Sequence, residues 1–147
     1  MNHFQRIASV LLMLACGSAS AFDFLSVALP FAVLYDTPSA KGAKRYVAPR
    51  GMPLEVMARY GDWVKVRDAE GDLAWTEARG LAPQRNVVVI AALASVHGAP
   101  DDNAEVVMTA DKGVLLALVG TVGSNWVQVR HRDGIVGFVH SAEVWGY

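Results

Sequence analysis

Gly61-Asp62-Trp63-Val64-Lys65-Val66-Arg67 returns further along the chain as Ser124-Asn125-Trp126-Val127-Gln128-Val129-Arg130. The match extends outward from both copies. Pro38 recurs at Pro100, Gly51 at Gly113, Gly71 at Gly134 and the aromatic Trp75 at Phe138, at spacings of 62 or 63 residues. The one-residue difference falls between Leu118 and Trp126, inside a turn, where an insertion adds little closure entropy. A repeat of this length is too long for a solenoid unit and suits a complete small barrel domain.

Within each copy the apolar residues alternate with polar ones at period two, the pattern of half-buried strands. Leu54, Val56 and Ala58 share one face of a strand, with Glu55, Met57 and Arg59 on the other. After the turn Tyr60-Gly61-Asp62, Val64 and Val66 face the core while Trp63, Lys65 and Arg67 face away from it. Asp68-Ala69-Glu70-Gly71 is the next hairpin connection, where Gly71 supplies a positive φ. Residues 73–76 return as a strand. The second copy repeats the plan over 114–119, 126–130 and 135–140, and short pieces such as 77–79 and 141–143 read as single turns. Many short strands with glycine-bearing hairpins predict an all-β chain of two tandem small β-barrels. The unbroken run Val87-Val88-Val89-Ile90 marks the junction and reads as buried on both faces. It is expected to close the first barrel and lead into the second without the Gly, Ser or Pro of a flexible linker, holding the two in a fixed orientation.

The chain opens with a short polar segment carrying Arg6, then an apolar run over 7–15 and the small-x-small sequence Ala19-Ser20-Ala21. This predicts a signal peptide over 1–21, cleaved before Phe22, and hence export, with the periplasm as destination. The apolar run is short of the roughly 20 residues that a membrane span needs, so no transmembrane segment is expected in the exported chain. The alternative is lipid attachment at Cys16, the sole cysteine, which follows Met13-Leu14-Ala15. The organisation expected is therefore 1–21 signal peptide, 22–86 first repeat and 87–147 second repeat.

Residues 22–147 contain no cysteine, which excludes thiol catalysis, disulfides and cysteine-ligated zinc together. Loss of Arg6 leaves 12 basic residues against 14 acidic ones, a net charge of −2. That balance does not fit a general nucleic-acid binder. The charge is uneven, with nine basic and eight acidic residues over 23–86 but three basic and six acidic over 87–147.

Candidates for chemistry are few. His97, His131 and His140 all lie in the second repeat, and no pair has the spacing of metal ligands. His131 and His140 flank a hairpin, so a surface metal site and ordinary exposed histidines are both readings of them. Asp68, Glu70, Asp101 and Asp102 sit in turns, where carboxylates serve solvation and local hydrogen bonds. No glycine-rich phosphate loop is present, and Ser124 and Ser141 lack a matching base motif. The sequence therefore predicts no catalytic residue, no metal and no cofactor.

Aromatic surface remains. Alternation puts Trp63 and Trp126 opposite the core valines of their strands, beside Lys65 and Arg67 in one copy and Arg130 in the other. Either these indoles form a recognition platform, or each covers a hairpin of its own barrel. Trp75 and Phe138, each after a small residue, are expected in the core. Lys41, Lys44 and Arg45 form a basic cluster suited to an acidic partner, or a solvated loop.

The order Trp-Val-x-Val-Arg, a glycine-bearing turn, then Ala74-Trp75-Thr76 or Gly137-Phe138-Val139 resembles the bacterial SH3 (SH3b) family. Val33-Leu34-Tyr35-Asp36-Thr37-Pro38 and Val96-His97-Gly98-Ala99-Pro100 are similar to its first strand and proline-bearing loop. The resemblance covers nearly all of 22–147. It departs at Ala74, where the family usually has glycine; alanine is still small enough for close strand packing. It implies two tandem SH3-like barrels forming a non-catalytic binding module of the cell envelope, with peptidoglycan or its peptides as the partner. An envelope protein bound by an adaptor with no wall affinity is the alternative. It also places Tyr35 and Tyr46 on the loop side where SH3-type barrels form their groove. The candidate ligand-binding set is thus Tyr35, Tyr46, Trp63, Lys65, Arg67, Trp126 and Arg130. The groove proline of peptide-binding eukaryotic SH3 domains is missing from Trp75-Thr76-Glu77 and Phe138-Val139-His140, so that activity is not carried over.

Overall fold

A computed structural model describes residues 23–147 of the chain. The expected signal peptide and the Cys16 lipid site lie outside the described residues. Seven strands form the first sheet: β1 (Phe24–Val27), β2 (Phe31–Tyr35), β3 (Lys44–Pro49), β4 (Pro53–Tyr60), β5 (Trp63–Arg67), β6 (Leu73–Glu77) and β7 (Leu81–Ala82). Seven more form the second: β8 (Asn86–Val89), β9 (Leu93–His97), β10 (Val106–Asp111), β11 (Leu115–Val122), β12 (Trp126–Arg130), β13 (Val136–His140) and β14 (Val144–Trp145). The spatial orders are β3-β2-β6-β5-β4-β1-β7 and β10-β9-β13-β12-β11-β8-β14, the same topology twice. Single 3-10 turns, Ala78–Gly80 and Ser141–Glu143, occupy matching places.

Each curled sheet encloses its own core. Val27, Leu34, Leu54, Val64 and Val66 centre the first, and Val87, Val96, Leu116, Val127 and Val139 the second. Burying one such side chain contributes about 1.5–3 kcal/mol, so alternation along β5 and β12 is a strong determinant of the fold. The repeats differ in length at the β11–β12 turn. Gly61 and Gly123 both take a positive φ there, of 56° and 58°, but Ser124 is an added residue before Asn125 and Trp126. The insertion is absorbed in a turn, as expected.

Three expectations are corrected. The run Asn86–Val89 is buried throughout, but it pairs with β11 and β14 and so belongs to the second barrel rather than closing the first. Along β4 the alternation fails: Ala58 is exposed, while Glu55, expected outside, is only 4% exposed. A bulge between Val56 and Ala58 adds a residue to one strand and breaks the alternation, and every residue from Met57 to Tyr60 is exposed. Glu55 lies before the bulge, opposite Phe24 in the β1–β4 pairing, and it lines a small cavity together with Trp145 and Tyr147 of the other barrel. Trp75 and Phe138 are not core residues. Both stand half-buried on the outer face, and the inward positions belong to Ala74 and Thr76 or to Gly137 and Val139. A small residue is needed there because β9 passes close to β13; a Cβ on Gly137 would lie 2.6 Å from the His97 carbonyl oxygen.

The barrels touch along β1, β4, β8 and β14. Asn86 Nδ2 donates to Gly51 O at 2.9 Å, and Phe24 meets Trp145 edge to face with centroids 5.0 Å apart. Arg85 lies 5.5 Å over the Phe24 ring and donates to Gly146 O. Asn86 is buried, so its amide would be costly to leave unpaired, and the bond to Gly51 ties one barrel to the other.

Candidate functional site

Trp63 begins β5 and Trp126 begins β12, and the residue after each, Val64 or Val127, points fully into its core. The indoles are therefore held on the outer face by the same alternation that fills the barrel. Neither is free-standing. Tyr35, at the end of β2, meets Trp63 edge to face with ring centroids 5.5 Å apart and planes at 83°. His97, at the end of β9, meets Trp126 in the same way, at 5.5 Å and 84°. Each barrel thus presents a half-buried indole propped from behind by the last ring of its second or ninth strand.

The two ledges differ at their third member. In the first, Glu77 at the end of β6 lies beside Trp63 and pairs with Arg79, around a cavity of about 450 Å³ completed by Asp62 and Ala78. In the second, His140 takes the corresponding place and stacks on Trp126, with centroids 4.0 Å apart and planes at 26°. His140 Nε2 contacts Asp102 Oδ1 at 2.5 Å, and His97 Nδ1 contacts Ala104 O at 3.0 Å. The loop after β9 is thereby tied to both imidazoles. The Ser141 hydroxyl, next in sequence, donates to Ser124 O at 3.1 Å.

The other residues of the candidate set lie elsewhere. Lys65 stands opposite Trp75 in the β5–β6 register. Arg67, at the far end of β5 from Trp63, donates from Nε to Glu55 Oε2 at 2.7 Å, with a second contact from Nη2 at 2.5 Å. That carboxylate is buried, and Arg67 is the cation that balances it. Tyr46 packs on the first core and donates its hydroxyl to Asp68 Oδ2 at 2.6 Å. Burial foremost, then the hydrogen bond and the charge of Asp68, hold this phenol well above the ordinary tyrosine range. Asp68 follows β5, so Tyr46 sits at the opposite end of that strand from the Tyr35–Trp63 ledge. Arg130 is exposed and lines a cleft between the barrels with Arg50 and Arg132.

His97 and His140 were the members that sequence reading missed. His97 is 8% exposed, not a surface residue. His131 and His140 do not come together either: Trp126 pairs with His140 and Arg130 with Val136, which puts the two histidines at opposite ends of a strand pair, roughly 16 Å apart at 3.3 Å per residue. His131 contacts Asp133 instead. Among the described residues no cluster of three potential metal ligands occurs. The available signal was the spacing itself, since His97 corresponds to Tyr35 and both precede a proline-bearing loop.

A family model of the bacterial SH3 domain matches the chain twice, at residues 29–83 and 91–146. The chain belongs to the bacterial SH3 domain family, as a tandem pair. Domains of this family are typically non-catalytic binding modules, commonly of the cell wall. Curated protein sequences give no significant match. Among solved structures the chain is similar to NlpC2 from Trichomonas vaginalis, at 10% identity and TM-score 0.40 over 87% of this chain and 49% of that one. It is similar to NlpC1 from the same organism, at 10% identity and TM-score 0.40 over 93% and 50%. An NlpC/P60 family protein from Bacillus cereus gives 14% identity and TM-score 0.38 over 84% and 56%. The chain spans about half the length of these proteins.

Proposed function

We propose that this protein is an exported, non-catalytic binding module of the cell envelope that recognises peptidoglycan or its peptides through its tryptophan ledges. The observation that carries the reading is the repetition of one arrangement. Trp63 and Trp126 start equivalent strands, each half-buried and braced edge-on by Tyr35 or His97. An indole fixed in this way offers a flat apolar surface and an N–H donor without the entropy cost of ordering a mobile side chain. Sugar rings and short peptides are the ligands such a surface suits. The family membership supports the wall as their source, and the amino-terminal sequence supports export to the periplasm.

The reading is tested by co-sedimenting the purified protein with peptidoglycan sacculi, beside Trp63→Ala and Trp126→Ala, with the fold of each checked by circular dichroism. Binding by the wild type that drops at least tenfold in a folded variant supports it. Failure of the wild type to sediment contradicts it and turns attention to an envelope protein as partner.

A further inference from the structure

A second feature lies away from both ledges, where the two barrels meet. Their junction leaves a cleft of about 740 Å³, a size that accommodates a short peptide or small molecule. Its floor is β11, from Leu115 to Ala117, and in register Ala117 lies opposite Arg130. Arg50 enters from the β3–β4 hairpin of the first barrel, and Arg130 and Arg132 from the β12–β13 hairpin of the second. The cleft therefore exists only in the tandem, and cations from both repeats converge on it.

The charge around it is not neutralised within the chain. Over residues 23–147 acidic side chains outnumber basic ones, 14 to 12. Among the described residues, Arg59, Arg67, Arg79 and Lys112 each have a carboxylate partner. Within the same set Arg50, Arg130 and Arg132 form no ion pair, as is true of Lys41, Lys44, Arg45, Lys65 and Arg85, but these three line one cleft together. Asp133, next in sequence to Arg132, contacts His131 at 3.2 Å. A second opening between the barrels gives a direct contrast, since there Lys112 meets Glu70 and Tyr46 meets Asp68. Arginine pairs with carboxylates in a planar, two-bond geometry, and three unpaired guanidinium groups over an apolar strand form a site complementary to alternating acidic and small apolar side chains.

We propose that the inter-barrel cleft is a binding site for an acidic peptide, its carboxylates held by Arg50, Arg130 and Arg132 and its small apolar side chains lying on Leu115 and Ala117. The site goes beyond the wall-binding reading and does not depend on it, because it shares no residue with the tryptophan ledges.

The test is a fluorescence-anisotropy titration of the full protein with a labelled peptide of alternating glutamate and alanine, against the same peptide with glutamine for glutamate. The variants are Arg50→Gln and the double change Arg130→Gln with Arg132→Gln, all exposed positions where folding should persist. Arg45→Gln, an arginine in the β3 strand outside the cleft, is the control. The expected result is binding of the glutamate peptide only, weakened about tenfold or more by the double change and several-fold by Arg50→Gln, and left within about twofold by the control, as loss of charge-assisted bonds requires. Equal weakening by Arg45→Gln would mean net charge alone and overturn the proposal. So would no binding of the glutamate peptide, or competition by inorganic phosphate at equal concentration, which would make the cleft a phosphate site. Sacculus binding is read separately, so either result leaves the other assay interpretable.

Discussion

Trp126 lies flat against His140, with ring centroids 4.0 Å apart, whereas Trp63 has Glu77 in the equivalent place and no stacked partner there. The two repeats have kept one ledge and diverged in what covers it. His140→Ala should therefore uncover one face of Trp126 while leaving Trp63 as it was. We expect greater quenching of the Trp126 indole by acrylamide, measured in a background where the other tryptophans are phenylalanine, and a stability loss of about 0.5–1.5 kcal/mol, the worth of one aromatic pair. Unchanged quenching would show that the stack does not shield the ring.

Gly137 tests how closely the ledge depends on the sheet beneath it. A Cβ at this position would meet the His97 carbonyl oxygen and Val96 Cγ1, both at 2.6 Å. Gly137→Ala should force β9 and β13 apart, costing about 1–3 kcal/mol in urea unfolding, as overpacking does. It should also shift the His97 ring resonances. The first barrel already carries Ala74 at the matching position, so its spacing is set for that methyl group and the aromatic contact of Tyr35 should be undisturbed.

The pair Glu55–Arg67 should respond asymmetrically. Glu55 has a side chain 5% exposed and Arg67 one 40% exposed. Arg67→Ala strands a carboxylate away from water, whereas Glu55→Ala leaves a guanidinium that can turn outward. We expect a loss of about 2–4 kcal/mol for Arg67→Ala, below the range for a fully buried pair because Arg67 is partly solvated, and roughly 1 kcal/mol less for Glu55→Ala. Equal losses in denaturant titrations would contradict this account of the pair.

Tyr46 gives a pH dependence with a definite sign. Its phenol is held above the ordinary value of 10.0, chiefly by burial and then by Asp68. In the unfolded chain tyrosine ionises near pH 10 while folded Tyr46 stays protonated. The stabilising contribution is therefore present below that pH and is lost as pH rises toward the folded value. Between about pH 9 and 11 the melting temperature of the wild type should fall, and Tyr46→Phe should flatten part of that fall. The same slope in both proteins would remove Tyr46 as the cause.

Much of this architecture could be read from the chain because alternation along residues 63–67 and 126–130 leaves only one way to fill a small barrel. The aromatic ledges followed from the same pattern, since a strand that buries Val64 must turn Trp63 outward. What alternation could not show was set by contacts between elements. The bulge after Val56 breaks the alternation without a glycine or proline to announce it. Glu55 shares a cavity with residues of the other barrel, which no reading of a single repeat includes. His97 and His140 come from strands separated by most of the second repeat, and they meet only where β9, β12 and β13 converge. Tyr46 and Arg67 are grouped with the ledge residues by sequence, yet local carboxylates claim both.

The tryptophan ledges, and not the remaining aromatic surface, are the proposed contact with the wall. The chain has four tryptophans, so four indole N–H resonances can be followed while soluble peptidoglycan fragments are titrated into labelled protein. Trp75 is on the outer face opposite Lys65, and Trp145 is in the contact between barrels, so they serve as internal controls. Saturable shifts at Trp63 or Trp126, with Trp75 and Trp145 unmoved, are the expected result. Shifts confined to Trp75 or Trp145, or none at any of the four, would contradict the claim.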